Sequence, residues 1–245
     1  HLSPDVRAAV RAVVDAGHHV VMATGRAIVG TVPILTTLGL THGYAVCSNG
    51  AVTLRLDPAC RGGYEILEAV TFDPRPALEL LQGSWPDAAV AVEELGVGFK
   101  VSAPFPDGEL DGQVRVVPWA ELGARPVTRL TFRSSTGTAA DFLALAERIG
   151  LHGFNYGVGY TAWLDINPEG VSKSAALEQI RRRLRVEPTH TVAVGDQRND
   201  LPMIRWAARG VAMGNAPDEV KAAACEVTAD VDDDGLVPVL RSLLP

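Results

Sequence analysis

Residues Val192–Met203 read VAVGDQRNDLPM. The stretch opens as an apolar run, passes Gly195, and then sets Asp196, Asn199 and Asp200 close together. A short apolar run bounded by glycine and polar residues reads as a buried strand. In an open parallel sheet, ligands sit beyond the carboxyl ends of the strands, where this acidic segment begins. Asp196 alone reads equally well as the N-cap of a following helix. Only one of the three residues is needed for that, and carboxylates this close repel unless a cation is present. Mg²⁺ suits such a place, because it takes one or two carboxylates together with waters and phosphate oxygens.

The same grammar extends outward. A helix over SKSAALEQIRRRL leads into the strand, with Arg181–Arg183 on its solvated face. A helix near 199–209 leads to GVAMG, a helix near 217–224 leads to EVTA, and DGLVPVLRSLL closes the chain. At the other end, Ser3 and Pro4 start a helix over 3–16, with Val6, Val10, Val13 and Val14 as its apolar stripe. It leads to HVVMA, the turn Thr24-Gly25-Arg26, and a second run, YAVCSNGA. Short apolar strands alternating with helices predict an α/β fold, a Rossmann-like parallel sheet with helices on both faces. Residues 72–160 read differently. AAVAVEE, VGFKVSA, VRVVP and VTRLTFR look like amphipathic, hairpin-linked strands, joined by a helix at 138–149 carrying Phe142, Leu145 and Ile149. The expected organisation is a discontinuous core, 1–71 and 161–245, with an inserted α+β cap at 72–160 built on an antiparallel sheet.

Three further clusters are candidates for chemistry. Thr24-Gly25-Arg26 reads either as a tight turn or as a hydroxyl and backbone N–H groups that cradle an anion. Lys173 reads either as a surface lysine or, at a helix start where a cation gains nothing from the dipole, as a phosphate-neutralising group. Asn49-Gly50 is a familiar hairpin pair. Composition narrows the field. The 245 residues carry a net charge of −7, which disfavours a nucleic-acid-binding surface. No apolar run approaches a membrane span, so no membrane partner is expected. Three scattered cysteines read as reduced thiols and point to the cytoplasm. Oligomeric state is not legible.

Together these motifs resemble the haloacid dehalogenase-like hydrolases, in particular the Cof-type phosphatases with a C2B-type α/β cap. VVMATGR resembles the family's second motif, LDINPEGVSKSAAL the segment with the third, VAVGDQRNDLPMIRWAARGVAMGNA the fourth, and EVTADVDDDGL the closing segment. CSNGA is similar to a loop that borders the active site. The resemblance implies an Mg²⁺-dependent phosphatase of small phosphorylated metabolites, with sugar phosphates as the expected class. It implies catalytic roles for Lys173 and Asp200, and phosphate binding by Thr24, Gly25, Lys173 and Asn199. Asp196 would hold the metal, and Arg26 and Asn49 would touch the substrate. Asp165 and Ser174 stand where the family more often has glutamate and glycine.

The family's first motif, D-x-D-G-T, is absent from the chain as it begins at His1. Its first aspartate is the nucleophile that forms an aspartyl-phosphate. We expect it to lie upstream of His1, on a strand whose loss would leave backbone groups unpaired on both neighbours. Two other readings remain open. One is a phosphotransferase such as a sugar phosphomutase, whose cap would need a cationic pocket drawn from Arg115, Arg125, Arg129 and Arg133. The other is a non-catalytic binder of a phosphorylated ligand. Asp196→Asn and Lys173→Ala are both expected to lower activity strongly and leave the fold intact.

Overall fold

The computed structural model describes residues 2–85, 88–133, 154–158 and 163–245. Its first helix, α1 (Pro4–Asp15), starts where the Ser3 hydroxyl accepts from the Val6 N–H at 3.1 Å. Val6, Ala9, Val10 and Val13 are buried, whereas Val14 is 40% exposed. The apolar stripe is thus narrower than expected, because Val14 lies about 100° round the helix from Val13. Strand β1 (Met22–Ala23) precedes α2 (Ile28–Leu38) and pairs in parallel with β2 (Gly43–Cys47). The chain then doubles back through Ser48-Asn49-Gly50 into β3 (Val52–Leu56) and β4 (Tyr64–Ala69), both antiparallel. The hairpin reading of Asn49-Gly50 therefore holds. It adds two antiparallel strands to a sheet expected to be wholly parallel.

The inserted unit comprises α3 (Arg75–Ser84), β5 (Ala89–Glu94), β6 (Gly98–Val101), β7 (Gln113–Val116), α4 (Trp119–Leu122), β8 (Leu130–Arg133), β9 (Phe154–Val158) and β10 (Trp163–Pro168). Its six strands lie in the order β7-β6-β5-β8-β10-β9. This corrects two expectations. Residues 163–168, assigned to the core from sequence, pair antiparallel with β8 and β9, so the unit runs past 161. And β7 is parallel to β6, because the loop 102–112 is long enough for a crossover return instead of a hairpin. The helix expected at 138–149 lies outside the described residues. One sheet face buries Val90, Val92, Leu130, Phe132, Leu164 and Ile166 against α3. By strand alternation, the other face carries Ala91, Glu93, Phe99, Arg129, Asp165 and Asn167. Ala91, Phe99 and Val101 from that face pack on Ala27 of the core, so it looks onto the core.

The chain continues through α5 (Lys173–Leu184), β11 (Val192–Gly195), α6 (Leu201–Trp206), β12 (Arg209–Ala212), α7 (Asp218–Ala223), β13 (Glu226–Val227) and α8 (Leu236–Arg241). Strands β11, β12 and β13 form a parallel ladder. Among the described residues this ladder and β1-β2-β3-β4 are separate sheets, with no ladder hydrogen bonds between β1 and β11. They share a core nonetheless. Ala176, Leu177 and Ile180 of α5 pack with Val46 of β2 and Ala193 of β11. The architecture is an α/β Rossmann-like core with a cap. In the α5 triplet, Arg182 and Arg183 are solvated, but Arg181 is held by Glu178 at 2.8 Å.

All three cysteines are free. Cys47 sits buried in β2, where burial pushes its thiol up to about 12, so it stays protonated at neutral pH. A thiol-specific reagent at pH 8 is expected to label Cys60 and Cys225 in the native protein, and Cys47 only after denaturation. Rapid native labelling of all three would contradict this packing.

Candidate active site

Lys173 is the first residue of α5, behind the N-cap Ser172, whose hydroxyl accepts from the Ala175 N–H at 3.1 Å. It is buried, and its Nζ donates to Asp200 Oδ1 at 2.6 Å. The other oxygen of Asp200 accepts from the backbone N–H groups of Asp196 and Gln197, both at 3.0 Å. Gly195 permits this approach, since a Cβ there would lie 2.5 Å from Asp200 Cβ. A buried charge pair persists only with such a complete set of partners. So one of the two carboxylates of the opening stretch is neutralised from within.

Asp196 differs. Gln197, not Asp196, caps the 3-10 turn at Arg198–Asp200, so the capping reading of Asp196 falls. Its Oδ2 accepts from Asn215 Nδ2 at 3.0 Å and from Gln197 Nε2 at 3.3 Å. Asn215 follows β12, so two adjacent strand ends build this corner. Asn199 donates from Nδ2 to Asn49 Oδ1 at 2.9 Å, while its own Oδ1 is buried without a partner. An aspartate carboxylate and an unpartnered amide oxygen are hard donors, and they fit a Mg²⁺ ion whose remaining ligands are water and substrate. Among the described residues no group of three His, Cys, Asp or Glu side chains is placed to hold a metal ion.

The β1 and β2 loops close the other side. The Asn49 N–H donates to Thr24 O at 3.1 Å and the Ser48 N–H to Arg26 O at 2.9 Å. Thr24 Oγ1 accepts from the Arg26 N–H at 3.2 Å. Gly25 is pressed against the site, since a Cβ there would sit 2.8 Å from Asn49 Oδ1 and 3.4 Å from Asn199 Nδ2. Gly50, at φ +107°, backs onto the Ser172 carbonyl, where a Cβ would collide. The segments around Thr24, Asn49, Lys173 and Asp196 thus meet at one place.

A cleft of about 280 Å³ opens from Thr24, Gly25 and Arg26 towards the cap residues Asp111, Arg129, Trp163 and Asp165. Arg129, one of the four arginines considered for a cap pocket, is buried. It donates to the Gly25 carbonyl, lies 3.7 Å from Asp165 Oδ1, and sits 5.1 Å from the centre of the Phe99 ring. Arg26 pairs with Asp111 at 3.2 Å and Arg133 with Glu109 at 2.8 Å. Sequence reasoning named Arg129 only as one of four arginines open to a cap pocket and missed Asp165 and Asp111 as cleft residues, since nothing in a strand pattern tells which face meets another domain. Asn215 had a signal, its place just after a parallel strand.

The profile of the haloacid dehalogenase-like hydrolase family matches residues 1–77 and 138–240. This chain belongs to that family. The hydrolase is 27% identical to phosphatase YwpJ of Bacillus subtilis over 261 residues, spanning 93% of this chain and 88% of YwpJ. It is 28% identical to a phosphoglycolate phosphatase of Halobacterium salinarum over 218 residues, or 89% and 80% of the two chains. Among solved structures, the haloalkanoate-superfamily phosphatase BT1666 of Bacteroides thetaiotaomicron superposes with a TM-score of 0.77 at 27% identity, covering 98% of this hydrolase and 87% of BT1666. The subclass IIB sugar phosphatase BT4131 shares the fold, with a TM-score of 0.81 at 24% identity over 98% and 91% of the chains.

Proposed function

We propose that this hydrolase is an Mg²⁺-dependent phosphatase of small phosphorylated metabolites, with sugar phosphates as the favoured class. What supports this most is that a buried lysine and a metal-suited carboxylate lie on segments that meet those of Thr24 and Gly25, and that Thr24 and Gly25 open onto the cleft towards the cap. In this reading Lys173, Thr24, Asn199 and the Gly25 amide bind and orient the phosphoryl oxygens. Asp200 holds Lys173 in position through their 2.6 Å contact. Asp196 and Asn199 would hold Mg²⁺, which when bound offsets the charge of the phosphoryl group. An aspartate upstream of His1 would attack phosphorus to give an aspartyl-phosphate, which water then hydrolyses. Arg26 and Asn49 face the leaving group, and the cap excludes bulk water.

A phosphomutase would need cap cations for a second phosphate. Of the four cap arginines considered, three, Arg115, Arg129 and Arg133, each already face a carboxylate, which favours hydrolysis. Free cysteines fit the expected cytoplasmic setting. Among the described residues no helix is long and apolar enough to cross a membrane. The test is phosphate release from a panel of phosphate esters by a chain carrying the D-x-D segment, with Mg²⁺ and with EDTA. Release that EDTA abolishes is expected. A chain that releases none yet binds inorganic phosphate would be a binder and not a phosphatase.

A further inference from the structure

The turn that carries Asn49 is an unusual piece of backbone. Ser48 and Asn49 both adopt left-handed φ values, +49° and +57°, without being glycine. Such residues persist only where their surroundings over-determine them. Here much of what holds the turn comes from the cap. Ser48 is fully buried, and its Oγ donates to Glu93 Oε2 of β5 at 2.6 Å. The same oxygen accepts from Thr128 Oγ1 at 2.9 Å. Asn167 of β10 donates to the Ser48 carbonyl at 3.2 Å and accepts from Asn49 Nδ2 at 3.3 Å. Asn49 in turn presents its Oδ1 to Asn199 at 2.9 Å and lies against Gly25.

Glu93 is costly to bury. It is 5% exposed, and its Oε1 is enclosed with no partner. Such an under-satisfied carboxylate makes little sense as cap packing, where an apolar residue would serve better. It makes sense as a reach across the domain boundary. We propose that Glu93 is a positioning residue for the phosphate site: from the cap it holds the Ser48 hydroxyl, which sets the Ser48–Asn49 turn and, through the Asn49 side-chain amide oxygen, the orientation of Asn199. Seating of the cap and geometry of the phosphate site are thereby one event. This rests on the phosphatase reading for its kinetic test, but not for its binding test.

Because one oxygen of Glu93 accepts both hydrogen bonds and the other has no partner, an amide can replace the carboxylate. Glu93→Ala is expected to lower kcat/KM about 30-fold, and Glu93→Gln to stay within about threefold of wild type. Ser48→Ala, which keeps Glu93 in the cap, is expected to match Glu93→Ala, and the double variant to be no worse than either single one. It also decides the matter if Glu93→Ala fails to fold. A purely structural Glu93 would lower Tm but leave kcat/KM of the folded enzyme unchanged. That result, or additive losses in the double variant, overturns the proposal. Calorimetric titration with inorganic phosphate in the presence of Mg²⁺ gives a readout without turnover, where Glu93→Ala is expected to bind about tenfold more weakly. If wild type releases no phosphate from any ester, the phosphatase reading fails, yet this titration still judges Glu93. Equal phosphate affinity in wild type and Glu93→Ala would overturn it.

Discussion

Asp196→Asn is expected to lower kcat/KM by on the order of 10³-fold and to leave the fold intact. The side chain is only half-buried and makes no capping bond to a helix. An asparagine keeps an oxygen to accept from Asn215, which now holds the carboxylate at 3.0 Å. What it loses is the negative charge that suits this corner to a hard cation. The loss is expected in the Mg²⁺ concentration needed for half-maximal activity as well as in kcat, with Tm nearly unchanged. Activity within about fivefold of wild type at low Mg²⁺ would remove Asp196 from the metal site.

Lys173→Ala is expected to be at least as damaging to turnover, again about 10³-fold. Unlike Asp196→Asn, it is also expected to cost stability, about 3–5 kcal/mol, because Asp200 is left buried and unpaired. The expectation from sequence that the fold stays intact is thus revised for this residue, since Lys173 is 5% exposed and its ion pair with Asp200 is buried. Lys173→Ala/Asp200→Ala should recover part of the lost stability and none of the activity. Chemical denaturation and steady-state kinetics on wild type, Lys173→Ala and the double variant separate the two effects. A single variant as stable as wild type would show that Asp200 finds another partner.

The core strands were legible because parallel strands read as short unbroken apolar runs, although Val192 of β11 and Val227 of β13 turn out to be exposed. The site residues beyond them were legible for the related reason that such strands present polar loops at one edge. The partner of Asp200 was harder to see. Periodicity placed Lys173 at a helix start, but only the resemblance suggested that it pairs across to the acidic loop. The cap was read least well. Trp163–Pro168 alternates as a cap strand does, yet it adjoins the core motif and was grouped with it. Glu93 and Arg129 looked like ordinary strand polars, because alternation gives a face and not what the face meets.

Asn199 and Asn49, whose side chains meet at 2.9 Å, are 150 residues apart in the chain, and Asn49 and Asn167 are 118 apart. Loops of that size carry a closure entropy that must be met before any contact rewards it. Helices such as α1 and α5 need no distant partner to begin forming, and the Asp196–Asp200 loop closes on its own hydrogen bonds, but the contacts among Asn49, Asn167 and Asn199 have no local precursor. They require both ends of the core and the cap to have met. On the proposed reading a partly unfolded chain therefore carries an incomplete phosphate site, and catalytic competence is itself the mark of a finished fold.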